Sequence, residues 1–184
     1  MLLRCFVVAL LAAVSISSAY AARPNYNYLG VGYARQHLDN SCKQDGLFLE
    51  GSLTLNEIAF FHAQHTDVTG SRGCGSTSTE LSLGLRADIG RQSGIYAQAT
   101  MIHRDRGPDS DAGFGGTFGA RGFVSPGFEA RGFVTYESID GWRETYFGVG
   151  MNYWFSRAFS LNAEVAVSDE DNESFGVGLR FNFY

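Results

Sequence analysis

Lysine is almost missing from this chain: of 14 basic residues, Lys43 alone is a lysine and the others are arginine. A soluble sheet spreads lysine over its wet face and edges. Arginine dominates where charges sit in confined, hydrogen-bonded pairs. Proline is scarce at 3, and charged residues make up only 18%. Beyond the first twenty residues there is no long apolar run, so no helical membrane span is available. A net charge of −5 and the lack of any basic cluster exclude nucleic acid as a partner.

What is present begins at the amino terminus. Arg4 supplies a short positive region, Phe6 to Val14 an apolar run, and Ala19-Tyr20-Ala21 a small-x-small cleavage site. That pattern predicts a secretory signal peptide over residues 1–21, too short in its apolar part for an anchor, and one mature domain over 22–184. Cys5 would leave with the signal.

Glycine, at 23, and aromatics, at 14%, are abundant in the remainder. They fall in segments that alternate with period two, the signature of a strand with different surroundings on its two faces. Leu47, Leu49, Leu53 and Leu55 alternate with Phe48, Glu50, Ser52 and Thr54. Leu81, Leu83, Leu85, Ala87 and Ile89 alternate with Ser82, Gly84, Arg86 and Asp88. The same rhythm runs from Phe128 to Glu137, Phe147 to Phe155, Phe159 to Ser168 and Phe175 to Phe183. None of these apolar faces carries a charge. Each segment is near the 9–11 residues with which a tilted strand crosses a bilayer.

Four further segments are long enough but harder to phase: Tyr26 to Arg35, Ile58 to Asp67, Ile95 to Arg104 and Phe114 to Val124. The total is about ten strands, with eight as the alternative, in an all-β, transmembrane, antiparallel up-and-down barrel. Connections alternate in length. Asn56-Glu57, Gly90 to Ser93, Ser125-Pro126-Gly127 and Ser156-Arg157 read as tight turns. Leu38 to Asp45, Val68 to Ser78, Asp105 to Ala112, Ser138 to Trp142 and Asp169 to Glu173 read as longer polar loops. Short periplasmic turns and long outer loops place both termini in the periplasm. Tyr26, Tyr28, Phe128, Trp154, Phe155, Phe159, Phe183 and Tyr184 are expected at the lower membrane interface, and Tyr136, Trp142 and Phe175 at the upper.

Tyr26-Asn27-Tyr28-Leu29-Gly30-Val31-Gly32-Tyr33 at the mature start and Asp45-Gly46 at the second strand carry a resemblance. With them the chain resembles small outer-membrane β-barrel proteins of Gram-negative bacteria, of the OmpA/OmpX-like group. The resemblance implies an outer-membrane location and a barrel, and no catalytic residues. In such barrels the last residue, often Phe, continues the lipid-facing set read by the barrel-assembly machinery. Here Phe175, Val177, Leu179, Phe181 and Phe183 form that set, and Tyr184 is one residue beyond it.

The inward faces gather Glu50, Arg86, Asp88, Arg121, Glu129, Arg131, Glu137, Glu144, Glu164 and Arg180. Ten strands enclose a small lumen, and porin channels need about sixteen. These groups are therefore expected to pair into a plug that narrows the lumen. Cys42 and Cys74 fall in adjacent outer loops of an oxidising compartment, which predicts a disulfide. Two free thiols held apart are the alternative.

No cofactor or metal is expected. His62 and His65 are three apart and point to opposite faces of a strand, while His65 and Asp67 share one. No serine sits in a nucleophile motif, so an enzyme is not expected. Asp169-Glu-Asp-Asn-Glu173 lacks the central Gly of a calcium loop and reads as a solvated loop near lipopolysaccharide and its divalent cations. Three functions stay open. The first is a structural or surface-interaction barrel in outer-membrane lipid with little conductance. The second is a narrow pore for small solutes. The third covers a barrel enzyme acting on lipid A or peptides, or a soluble lipocalin-like ligand binder.

Overall fold

Strands with one apolar and one polar face still carry unpaired N–H and C=O groups along both edges, and closing the sheet on itself satisfies all of them. The structure is a computed structural model that describes residues 23–38, 42–70, 74–107 and 109–183. The expected signal peptide, and Tyr184 of the expected assembly signal, lie outside the described residues.

Ten strands follow one another: β1 (Tyr28–His37), β2 (Lys43–Thr54), β3 (Ala59–Gly70), β4 (Gly75–Ile89), β5 (Ser93–Arg106), β6 (Asp109–Ser125), β7 (Phe128–Ile139), β8 (Trp142–Trp154), β9 (Phe159–Ser168) and β10 (Glu173–Asn182). Each pairs antiparallel with its sequence neighbours, and β1 closes the barrel against β10. Ten strands is therefore the count, and the eight-strand alternative falls. Among the described residues, no helix is long and apolar enough to cross a membrane.

Pattern and pleat agree on the outer face. Leu47 is 64% exposed, Leu83 58% and Phe147 55%, while Glu50 and Ser82 on the reverse are buried. A contiguous apolar belt of this extent has no place on a soluble monomer. At the end of the barrel that holds both termini, rings of Phe155, Phe159, Phe181 and Phe183 touch in series on the outside.

Two expectations need correction. Tyr26, Tyr28 and Trp154 were expected at the lipid interface, and all three are buried inside. Parity decides this: Leu29, Val31 and Phe155 take the outward positions, so their neighbours must turn in. The connections opposite the termini are also short. Asp45 pairs with Arg35, Thr77 with Asp67 and Asp105 with Ser110, so Asp45, Thr77, Asp105 and Ser110, all in segments read as loops, belong to strands. A neighbouring strand offers every backbone group a partner, so the ladder continues past the apolar belt until a turn residue stops it. At Asp140-Gly141 the stop is a two-residue turn with φ of 48° and 81°, the left-handed pair that matches strand twist. β6 reaches 17 residues and β4 15, against 10 for β1 and β9. One side of the wall thus stands taller than a bilayer requires.

Candidate functional site in the barrel lumen

Glycine sets the shape of the lumen. Phe48 faces Gly32 directly across the β1–β2 ladder, Phe60 faces Gly84, Tyr96 faces Gly119 and Phe133 faces Gly148. A Cβ at Gly119 would lie 2.6 Å from Tyr96 Cζ, and one at Gly32, Gly84 or Gly148 would overlap the opposite ring. Each ring therefore lies flat on the strand beside it instead of projecting to the barrel axis. β9 and β10 repeat the arrangement with Asn162 opposite Gly178.

Ion pairs follow the same rule. Arg180 of β10 reaches Glu50 of β2 across Gly30 of β1, with Nε donating to Oε1 at 2.8 Å and Nη2 to Oε2 at 2.9 Å. Arg131 of β7 reaches Glu164 of β9 across Gly150 of β8 in the same manner. Arg121 pairs with Glu129 across the β6–β7 hairpin. These pairs run along the wall between near strands. The bidentate Arg180–Glu50 pair uses the guanidinium fork, which lysine cannot supply.

The other predicted lumen charges have different surroundings. Glu137 and Glu144 face each other in register. Glu137 accepts from Arg104 at 3.1 Å, while Glu144 accepts from Tyr146 at 2.5 Å and from Asn172. Arg86 lies over the Tyr26 ring and donates to the Glu57 carbonyl. Asp88 is exposed near the terminal mouth and pairs with Arg23. Sequence reasoning missed Arg104, Glu80, His62 and Tyr26. Tyr96, Gln98, Thr100, Ile102 and Arg104 alternate with Ala97, Ala99 and Met101, so the inward phase of β5 was there to be found.

The lumen holds a chamber of about 770 Å³, which Glu50, Arg121, Arg131 and Glu164 of the ion pairs also line. Gln36, Gln44, Gln64, Gln98, Thr117 and Thr135 line its walls, with Glu80, Arg104 and Glu137 among them. Tyr28, Phe60, Tyr96 and Phe133 line it as well. Cys42 and Cys74 are joined in the expected disulfide at the mouth opposite the termini, with a Cα–Cα distance of 6.2 Å. His65 and Asp67 are exposed and do not line the chamber, and His65 Nδ1 lies 2.9 Å from Thr79 Oγ1. Among the described residues, no group of three or more His, Cys, Asp or Glu is placed to hold a metal ion.

A closed antiparallel barrel of ten strands, apolar outside and charged within, defines a transmembrane β-barrel. Solved structures agree on the fold. The chain is similar to the KdgM porin in complex with disordered oligogalacturonate, with TM-score 0.53 and 9% identity over 85% of this chain and 99% of that one. KdgM porin in a second structure gives TM-score 0.50 at 10% identity, covering 84% and 99%. An outer-membrane channel from Pseudomonas putida F1 gives TM-score 0.50 at 14% identity, covering 90% and 98%. Identities this low speak for the fold alone. No protein-family model matches the chain, and a search of curated proteins found no match.

Proposed function

We propose that the chain is an integral outer-membrane barrel with its termini in the periplasm. In this proposal its lumen is a chamber open to the outside and narrowed by paired charges at the terminal end. The observation that carries it is the division of faces: a continuous apolar belt outward, and Arg180, Glu50, Arg121 and Glu129 buried inward. A soluble lipocalin-like binder needs the opposite arrangement. Such a barrel has a structural or surface-interaction role and passes little current at rest. A narrow pore for small hydrophilic solutes is the second reading, favoured by the 770 Å³ chamber and by the porin and channel likeness. Catalysis has no part in the proposal, since His65 and Asp67 do not line the chamber.

The narrower likeness to OmpA/OmpX-like barrels rests on the Tyr26 to Tyr33 and Asp45-Gly46 motifs. Outer-membrane lipid and lipopolysaccharide are the proposed surroundings, the latter beside the exposed Asp169 to Asp171 turn. Phe175, Val177, Leu179, Phe181, Phe183 and Tyr184 are proposed as the signal for the assembly machinery. Removing the last two is expected to lower the amount inserted, and normal surface levels would refute that role. Outer-membrane fractionation with heat-modifiable gel migration tests the proposal as a whole: a water-soluble monomer would overturn it. Planar-bilayer recording then separates the two readings, since steady conductance from the unaltered protein supports the pore.

A further inference from the structure

Residues 23–27 precede β1, yet they do not lead away from the barrel. Pro24 and Tyr26 are buried. The Tyr26 ring lies 4.6 Å from that of Phe60 on β3. Two guanidinium groups press on it, Arg86 of β4 at 4.9 Å and Arg121 of β6 at 4.6 Å from its centroid. β6 stands five strands from β1 in either direction around a ten-strand ring. Tyr26 therefore reaches across the lumen, unlike the rings that lie flat along the wall.

The segment is held at both sides. Near β1, Asn25 Nδ2 donates to the carbonyls of Asn27 and Phe183, and Asn27 Oδ1 accepts from the Thr54 N–H at 2.6 Å. On the far side, Arg23 pairs with Asp88 at 3.4 Å, with side chains 71% and 45% exposed. The inner hold is stiff, because Arg121 is fixed by Glu129 and Arg86 by the Glu57 carbonyl. The outer hold is in water and open to screening by salt.

We propose that residues 23–26 are a plug hinged at Asn27. It closes the terminal mouth of the lumen through the Arg86–Tyr26–Arg121 clamp and the Arg23–Asp88 latch. Its release joins the chamber to the other side as a narrow pore for small hydrophilic solutes. This rests on the outer-membrane assignment, and it adds a gate that neither reading of the lumen contains.

The test is single-channel recording on folded, heat-modifiable full-length barrels in planar bilayers of phosphatidylcholine and phosphatidylglycerol. Unaltered protein is expected to stay mostly closed, and Tyr26→Phe, which keeps the ring, to match it. Tyr26→Ala is expected to open frequently. Arg23→Ala is the decisive variant, because its side chain lies outside the lumen and cannot widen it by lost volume. Losing one exposed ion pair is expected to raise its open probability about two- to fivefold, an increase that raised salt reproduces in the unaltered protein. The plug is overturned if Arg23→Ala behaves as unaltered protein while Tyr26→Ala opens, since the ring then only fills space. It is equally overturned if neither variant differs from unaltered protein in inserted barrels. Unaltered protein that never inserts overturns the outer-membrane assignment, and the plug with it.

Discussion

Glu50→Ala tests the lumen most directly. Its carboxylate takes two charge-assisted hydrogen bonds from Arg180, and both side chains are almost fully buried, at 4% and 3% exposure. Removing one partner of such a pair leaves a buried charge, which costs about 3–5 kcal/mol. Arg180 would keep its bond to Asn152 Oδ1 at 3.0 Å and the Tyr28 ring at 4.2 Å, neither of which neutralises it. The expected loss is therefore near the middle of that range. Glu50→Leu with Arg180→Met removes both charges together, and is expected to stay within about 1 kcal/mol of the parent barrel. Urea unfolding in lipid vesicles, followed by tryptophan fluorescence, measures both. If Glu50→Ala loses less than about 1 kcal/mol, water in the lumen screens Arg180 and the pair is no more than a surface bridge. If the double variant is as unstable as the single one, unpaired charge is not the cause of the loss.

Three further perturbations address other parts of the wall. Leu83→Arg on the outward face is expected to cost about 2–4 kcal/mol in vesicles, while Ser82→Ala, one residue away and facing the lumen, loses a 2.9 Å hydroxyl pair with Thr100 and about 1 kcal/mol. Equal effects at the two sites would contradict the assigned faces. Gly84→Leu overlaps the Phe60 ring, drives it toward the axis, and is expected to destabilise by about 1–3 kcal/mol; an unchanged unfolding midpoint would show that the ring has room elsewhere. Replacing Cys42 and Cys74 by serine removes a link between residues 32 apart in sequence and is expected to lower stability by about 2–4 kcal/mol. Parent protein with dithiothreitol should match that variant, and a parent unaffected by reductant would refute the contribution.

Several strands were legible residue by residue. From Leu47 to Leu55 and from Leu81 to Ile89 the alternate positions hold leucine, another apolar residue or glycine, so lipid and lumen faces could be told apart without any partner strand. Around Phe60, Phe61 and His62 this failed because both faces hold a ring. Phe60 turns inward because Gly84, on the next strand, has no Cβ to block it. That information lies 24 positions away and becomes visible only in register. The outer loops were misjudged for a related reason: polarity in Asp45 or Thr77 marks the end of the apolar belt, whereas pairing with Arg35 or Asp67 determines the end of the strand.

Location-bearing features belong to the chain itself. Alternation, strand length, scarce lysine and paired cysteines each follow from residue type and spacing, and they suffice for a closed barrel with grease outside and charge inside. Which acid meets which base, and where Tyr26 rests, belong to the folded ring alone. Arg180 and Glu50 are 130 residues apart and meet because β10 and β2 flank the same glycine of β1. Closure of the sheet creates that neighbourhood, since it brings the first and last strands side by side and turns one face of all ten toward a common axis.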